Sequence, residues 1–180
     1  MDCDNPQYSL TNWYHTGEAK KNIELVKVND ADDILEAVKE HDGKVDFILI
    51  DLAPRLKDIT RAAVAMSDLT VIPVNVDMVE IWALKHTLDL MVEVEKKIPD
   101  FKYFVMTNKY QSHNENQQQM RDSIQNYFNC KLLDSTLGLR KAFPHALGHG
   151  VTVHDLNPKT PKAIEEMDGL VDEILTKMEV

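Results

Sequence analysis

Apolar and polar positions change rhythm repeatedly along this chain. Val45 to Asp51 (VDFILID), Leu69 to Val76 (LTVIPVNV) and Phe101 to Thr107 (FKYFVMT) are short, nearly continuous apolar runs. Such runs predict strands buried on both faces of a parallel sheet. A weaker alternation over Ile23 to Val28 predicts a short strand, as does Lys131 to Leu133. Between these runs the period lengthens to that of a helix. Ile34, Leu35 and Val38 share one face of a helix that Asp30 or Asp32 caps and Gly43 ends. Asp58 to Met66 is helical in character. Asp77 caps a long helix to about Lys97, with Val79, Trp82, Ala83, Leu90 and Val94 at core spacing, and Pro99 stops it. Further helices are expected over Asn114 to Phe128, Arg140 to Leu147 and Pro161 to Met178, with an extended piece at Val151 to Asp155.

Strands alternating with helices imply parallel βαβ units and an open, doubly wound α/β sheet. Ligands in such sheets sit at the carboxyl ends of the strands, so the residues just after each apolar run are the ones to read. The length, 180 residues, suits a single domain, and 43% hydrophobic with 28% charged residues is ordinary for a globular chain. A net charge of −10 excludes a wholesale nucleic-acid coat but leaves room for a local basic patch. Cys3 and Cys130 form no CxxC pair, which suits a reducing cytoplasm. No run approaches the roughly 20 apolar residues of a bilayer span. The C-terminal helix is acidic, unlike a membrane-surface helix, so no membrane partner is expected.

Two constellations carry candidate chemistry. Asp51 ends the run FILI, where a carboxylate can hold Mg²⁺ beside a nucleotide triphosphate, although a loop-capping Asp fits the same pattern. Asp2 and Asp4, at i and i+2 on an extended segment, point to opposite sides. One can face a metal or an attacking water while the protein holds the other; an Asx-rich turn at Asn5-Pro6 is the alternative. His145, His149 and His154 fall within ten residues, but Gly148 breaks the helix that would present them, and solvent-facing histidines are expected. Trp13 and Trp82 suit a core or a dimer interface.

Taken together, these residues resemble those of ParA-type partition ATPases. MDCDNPQYSLTNW resembles the family's D-x-D-P-Q-x-S-x-x-x-W segment, with Asn5 as an extra residue, and VDFILIDLAPRLKDITRAAVAMSDLTVIPV resembles its Walker B strand, switch and following strand. Leu139 to Glu166 resembles its C-terminal end.

The resemblance implies a P-loop NTPase-like sheet, ATP and Mg²⁺ as cofactors, and a nucleotide-dependent dimer. It assigns Asp4 to the attacking water, Asp2 and Asp51 to the Mg²⁺ shell, and Leu52 to Asp58 to a switch. It places Asn108, Pro158 and Pro161 by the adenine, though Asn108 also fits a strand-end turn and Pro158 and Pro161 also fit a helix start. Arg140 and Lys141 are its candidates for non-specific DNA contact. It further implies a centromere-binding partner, pairing with itself or a full-length homologue, and a nucleoid-associated cytoplasmic location. The family's K-G-G-x-G-K-[ST] loop is not among these 180 residues. The chain is therefore expected to lack the family's first strand, phosphate loop and first helix, and to bind no ATP alone. A non-catalytic module that associates with a complete homologue is the alternative function.

Overall fold

The computed structural model describes residues 1–17, 22–53 and 58–179. The chain divides into two compact units: Met1–Ser67 with His145–Thr152, and Asp68–Pro144 with Val153–Val180.

In the first unit, residues 1–3 run between two extended segments. Asp2 N–H donates to Val26 O (2.8 Å) and Val28 N–H to Asp2 O (3.1 Å) on one side. On the other side Cys3 N–H donates to Asp51 O (2.9 Å) and Asp51 N–H to Met1 O (3.0 Å). Asp2 thereby bridges both Lys27 and Asp51 in parallel. The segments expected as strands at 23–28 and 45–51 are extended, but their pairing is limited to what these three residues supply. Helices α1 (Ser9–Thr16), α2 (Ala31–His41) and α3 (Asp58–Met66) complete the unit. Asp30 caps α2, its side chain accepting from the N–H groups of Asp32 and Asp33. Gly43, at φ +68°, follows its end.

Val28, Ile34, Ala37 and Ala63 bury one side of the extended segments, with Val26, Ile48 and Ile50 packed against them. The opposite side differs from the expectation of burial on both faces. Phe47 is 50% exposed and Leu49 78% exposed. They flank a hollow of about 860 Å³ that Trp13, Tyr14, Ile23 and Leu147 also line. The alternation of side chains sends 48 and 50 under α2 and α3, while 47 and 49 face the hollow.

The second unit holds a parallel sheet of β1 (Leu69–Asn75), β2 (Lys102–Tyr110) and β3 (Leu132–Gly138), in that order. Leu69 pairs with Lys102 and Asn75 with Asn108, an unbroken register. The β2–β3 register shifts twice, between Val105 and Tyr110. Helices α4 (Met78–Glu95), α5 (Glu115–Phe128), α6 (Ala142–Gly148, which crosses the unit boundary) and α7 (Pro161–Met178) complete the chain. Asp77 and Asn114 cap α4 and α5, each accepting two backbone N–H groups. α4 packs on β1, and α7 on β3. Met106, Leu133 and Leu170 form the α7 side of the core.

Two expectations change here. The buried face of α4 is Leu84, Leu88 and Met91, joined by Leu90 and Val94. Val79 and Trp82 are 71% and 65% exposed, because α4 is apolar around much of its circumference and periodicity alone does not choose the face. β3 also runs five residues further than the expected 131–133, since polar Asp134 and Ser135 interrupt its apolar pattern. Among the described residues no helix is long and apolar enough to cross a membrane.

Candidate functional site

Asp2, Asp4 and Asp51 come together in the first unit, at the ends of neighbouring parallel segments. Asp2 is fully buried. Its Oδ2 accepts from Thr11 twice, from the backbone N–H at 2.8 Å and from the hydroxyl at 2.6 Å. Its Oδ1 accepts the Asp4 N–H at 3.2 Å. Burial works against the charge of Asp2, but the Thr11 hydroxyl, the Thr11 N–H and the Asp4 N–H outweigh it and hold the carboxyl below its ordinary range. Asp4 is half-buried, and its carbonyl accepts the Tyr8 N–H at 2.8 Å.

Asp51 behaves oppositely. Burial of its carboxyl, then the charges of Asp2 and Asp4, push its pKa up. The residue keeps solvent access. A carboxylate that faces water and feels two like charges, eased in part by the Met1 ammonium, fits a site for a cation. Asp2 does not fit a Mg²⁺ shell, because it has no access to water and its oxygens already serve three donors. Cys3, buried between them, has its thiol pushed up to about 11 by burial, so it stays protonated and inert.

The remaining candidates lie in the second unit. Asn108 lies near the end of β2, opposite Asn75, and its Oδ1 accepts the N–H of Lys109 at 2.9 Å. Both asparagines stand at the carboxyl end of the sheet, where such folds bind ligands. Pro161 is the first residue of α7, and Pro158 is exposed and preceded by a cis peptide bond. Arg140, Lys141, Thr160, Pro161 and Lys162 line a hollow of about 380 Å³. The Thr160 Oγ1 is buried there without a hydrogen-bond partner. Arg140 is committed within the protein: its Nε and Nη2 grip Glu166 Oε1 at 2.9 and 2.5 Å. Lys141 is exposed. Of the expected switch, Leu52 and Ala53 are half-buried, and residues 54–57 lie outside the described residues. His145 and His149 are exposed, with ring centroids 4.4 Å apart.

Thr11 and Asn75 escaped sequence reasoning, and Glu166 was legible only as part of the C-terminal pattern, without its contact to Arg140. α1, which carries Thr11, is eight residues long, too short for periodicity to register. Glu166 reads as an ordinary polar-face residue until β3 is placed beside it.

The model of a family described as an AAA domain matches residues 15–102. The "Maintenance of carboxysome distribution protein A" of Halothiobacillus neapolitanus is 23% identical over 177 residues, 97% of this chain and 81% of that protein. "Protein ParA" of Rhizobium radiobacter is 24% identical over 185 residues, 99% of this chain and 82% of that protein. Among solved structures, apo McdA of Cyanothece superposes with a TM-score of 0.65 at 16% identity. That superposition covers 80% of this chain and 59% of the solved one, so the chain spans less than two thirds of that structure. At that identity the likeness establishes the α/β fold.

Proposed function

We propose that this chain is a ParA-type P-loop ATPase, a reading that its similarity to the AAA-domain model and to the two ParA-like relatives supports, and that it serves a nucleotide-dependent switch in partitioning or positioning, with DNA as the track or the cargo. The observation that carries the reading is the parallel bridge from Asp2 to Asp51, which brings the D-x-D segment beside the carboxylate at the end of the neighbouring run. Asp51 faces the Mg²⁺ site. When bound, Mg²⁺ neutralises charge on the phosphates. Asp4 orients the attacking water and accepts its proton. Asn108, Pro158 and Pro161 border the base. Lys141, with its charge free in solvent, contacts DNA phosphate, whereas Arg140 braces Glu166. A centromere-type partner protein and a second nucleotide-bound copy complete the cycle.

The test places a family strand–loop–helix segment ahead of Met1. The joined protein hydrolyses ATP, Asp4→Ala stops hydrolysis but leaves nucleotide-dependent dimerisation, and Asp51→Ala weakens Mg²⁺-dependent binding as well. A joined, folded protein that neither binds nor hydrolyses ATP rules the reading out.

A second reading is favoured by the exposed Phe47 and Leu49 beside the large hollow. There the chain is a non-catalytic module that seats on a complete homologue through this apolar side. Co-sedimentation with a complete family member, with Leu49→Glu as control, distinguishes the two readings.

A further inference from the structure

We propose that Asp2 and Thr11 form a buried clamp that positions Asp4, and that Asp2 takes no part in holding Mg²⁺. The proposal rests on the reading of Asp4 as the water-orienting carboxylate. Mg²⁺ gives up its water reluctantly and is held through few carboxylates with several waters retained. Asp2, with no exposure, offers neither a water path nor a free face. Its work is internal. One oxygen takes both donors of Thr11, at 2.8 and 2.6 Å, and so fixes α1 to the central segment. The other takes the Asp4 N–H, an i to i+2 Asx turn. Asp4 is thus held at its N–H by Asp2 and at its C=O by the Tyr8 N–H. With both backbone groups tethered, its side chain leaves the turn in a set direction. α1 is itself anchored, since Trp13 Nε1 donates to Val151 O at 3.0 Å. Asparagine cannot replace Asp2, because an amide would turn an N–H toward one of these donors.

Amide hydrogen exchange and Mn²⁺ binding by electron paramagnetic resonance test this on the full chain. Thr11→Val and Asp2→Asn speed exchange at residues 4 and 11 by about tenfold or more, the loss of a hydrogen bond to a charged group. Thr11→Ser restores protection, since it keeps the hydroxyl. Thr11→Val leaves Mn²⁺ affinity unchanged, whereas Asp51→Asn weakens it. Unchanged exchange in Thr11→Val overturns the clamp. So does an Asp2→Asn protein that keeps its circular dichroism yet loses Mn²⁺ as completely as Asp51→Asn. Wild-type chain that binds no Mn²⁺ counts against Asp51 as the metal-facing residue, and exchange alone then decides the clamp.

Discussion

Glu173 on α7 holds the backbone N–H of Ser135 on β3 at 2.7 Å, and its other oxygen takes the N–H of Asp134 at 2.9 Å. One carboxylate thus serves two N–H groups that β3 does not give to β2. Seven residues earlier on the same helix, Glu166 takes the N–H of Gly138 at 3.0 Å. Two glutamates two turns apart therefore cover the outer side of an edge strand, whose bare N–H groups would otherwise be open to pairing.

The pH response of this contact has a definite sign. Burial raises the Glu173 pKa, but hydrogen bonds from Ser135 and Asp134, with Lys177 nearby, outweigh it and lower the net value. A lowered pKa in the folded state contributes stability that is complete above the ordinary glutamate range and is lost as pH falls through the folded value. Glu173→Ala is expected to cost about 1–3 kcal/mol near neutral pH, the range for stranding a donor. It should also flatten the acid limb of stability against pH, measured by urea unfolding.

Gly150 and Gly43 form a matched pair. Both have positive φ, +64° and +68°. A Cβ on Gly150 would lie 2.2 Å from Gly17 N, while nothing lies within 4 Å of one on Gly43. Gly43→Ala is expected to cost about 1–2 kcal/mol from backbone conformation alone. Gly150→Ala adds a backbone clash, for roughly 2–4 kcal/mol in all. Thermal unfolding of the two variants should rank them in that order.

Asp51→Asn is expected to stabilise the fold. The raised pKa of Asp51 means that the folded chain holds its proton more tightly than the unfolded one. Stability is therefore lost as pH rises from the ordinary aspartate value through the folded value. Above that window the variant should gain up to about 1 kcal/mol, the scale of a partly solvated charge interaction, with no gain at strongly acidic pH. A variant less stable at pH 7 would show that Asp51 has a partner that compensates its charge.

Nucleotide affinity of these 180 residues alone should be undetectable at micromolar concentrations. Asp2, Asp4 and Asp51 bring only carboxylates together, and no glycine-rich loop in the sequence can present N–H groups to phosphates. Isothermal titration with ATP and Mg²⁺ checks this, and micromolar binding would mean that another segment cradles the phosphates.

Self-association should grow with concentration. Phe47 and Leu49 are half or more exposed beside a hollow of about 860 Å³, and each apolar side chain covered is worth roughly 1.5–3 kcal/mol. Sedimentation velocity is expected to show oligomers that Leu49→Glu disperses; a strict monomer at high concentration would defeat the expectation.

Element order and helix capping were legible in the chain alone. Asp30, Asp77 and Asn114 cap the helices that follow them because a short side chain reaches the N–H groups two and three residues on, a relation inside one stretch of chain. The motif residues Asp2, Asp4 and Asp51 were legible as a set because the two segments that carry them resemble segments of one family. Their division of labour was not. Asp2 and Asp51 read alike in sequence, yet one meets three donors and no water while the other faces solvent. The same holds for Arg140, a candidate phosphate contact until β3 and α7 bring Glu166 to it. It holds also for Phe47 and Leu49, whose strand-like pattern predicted burial and which are instead half or more exposed. Such outcomes depend on which residues distant in the chain arrive beside a given side chain, because solvation and hydrogen-bond partners are properties of a place in space.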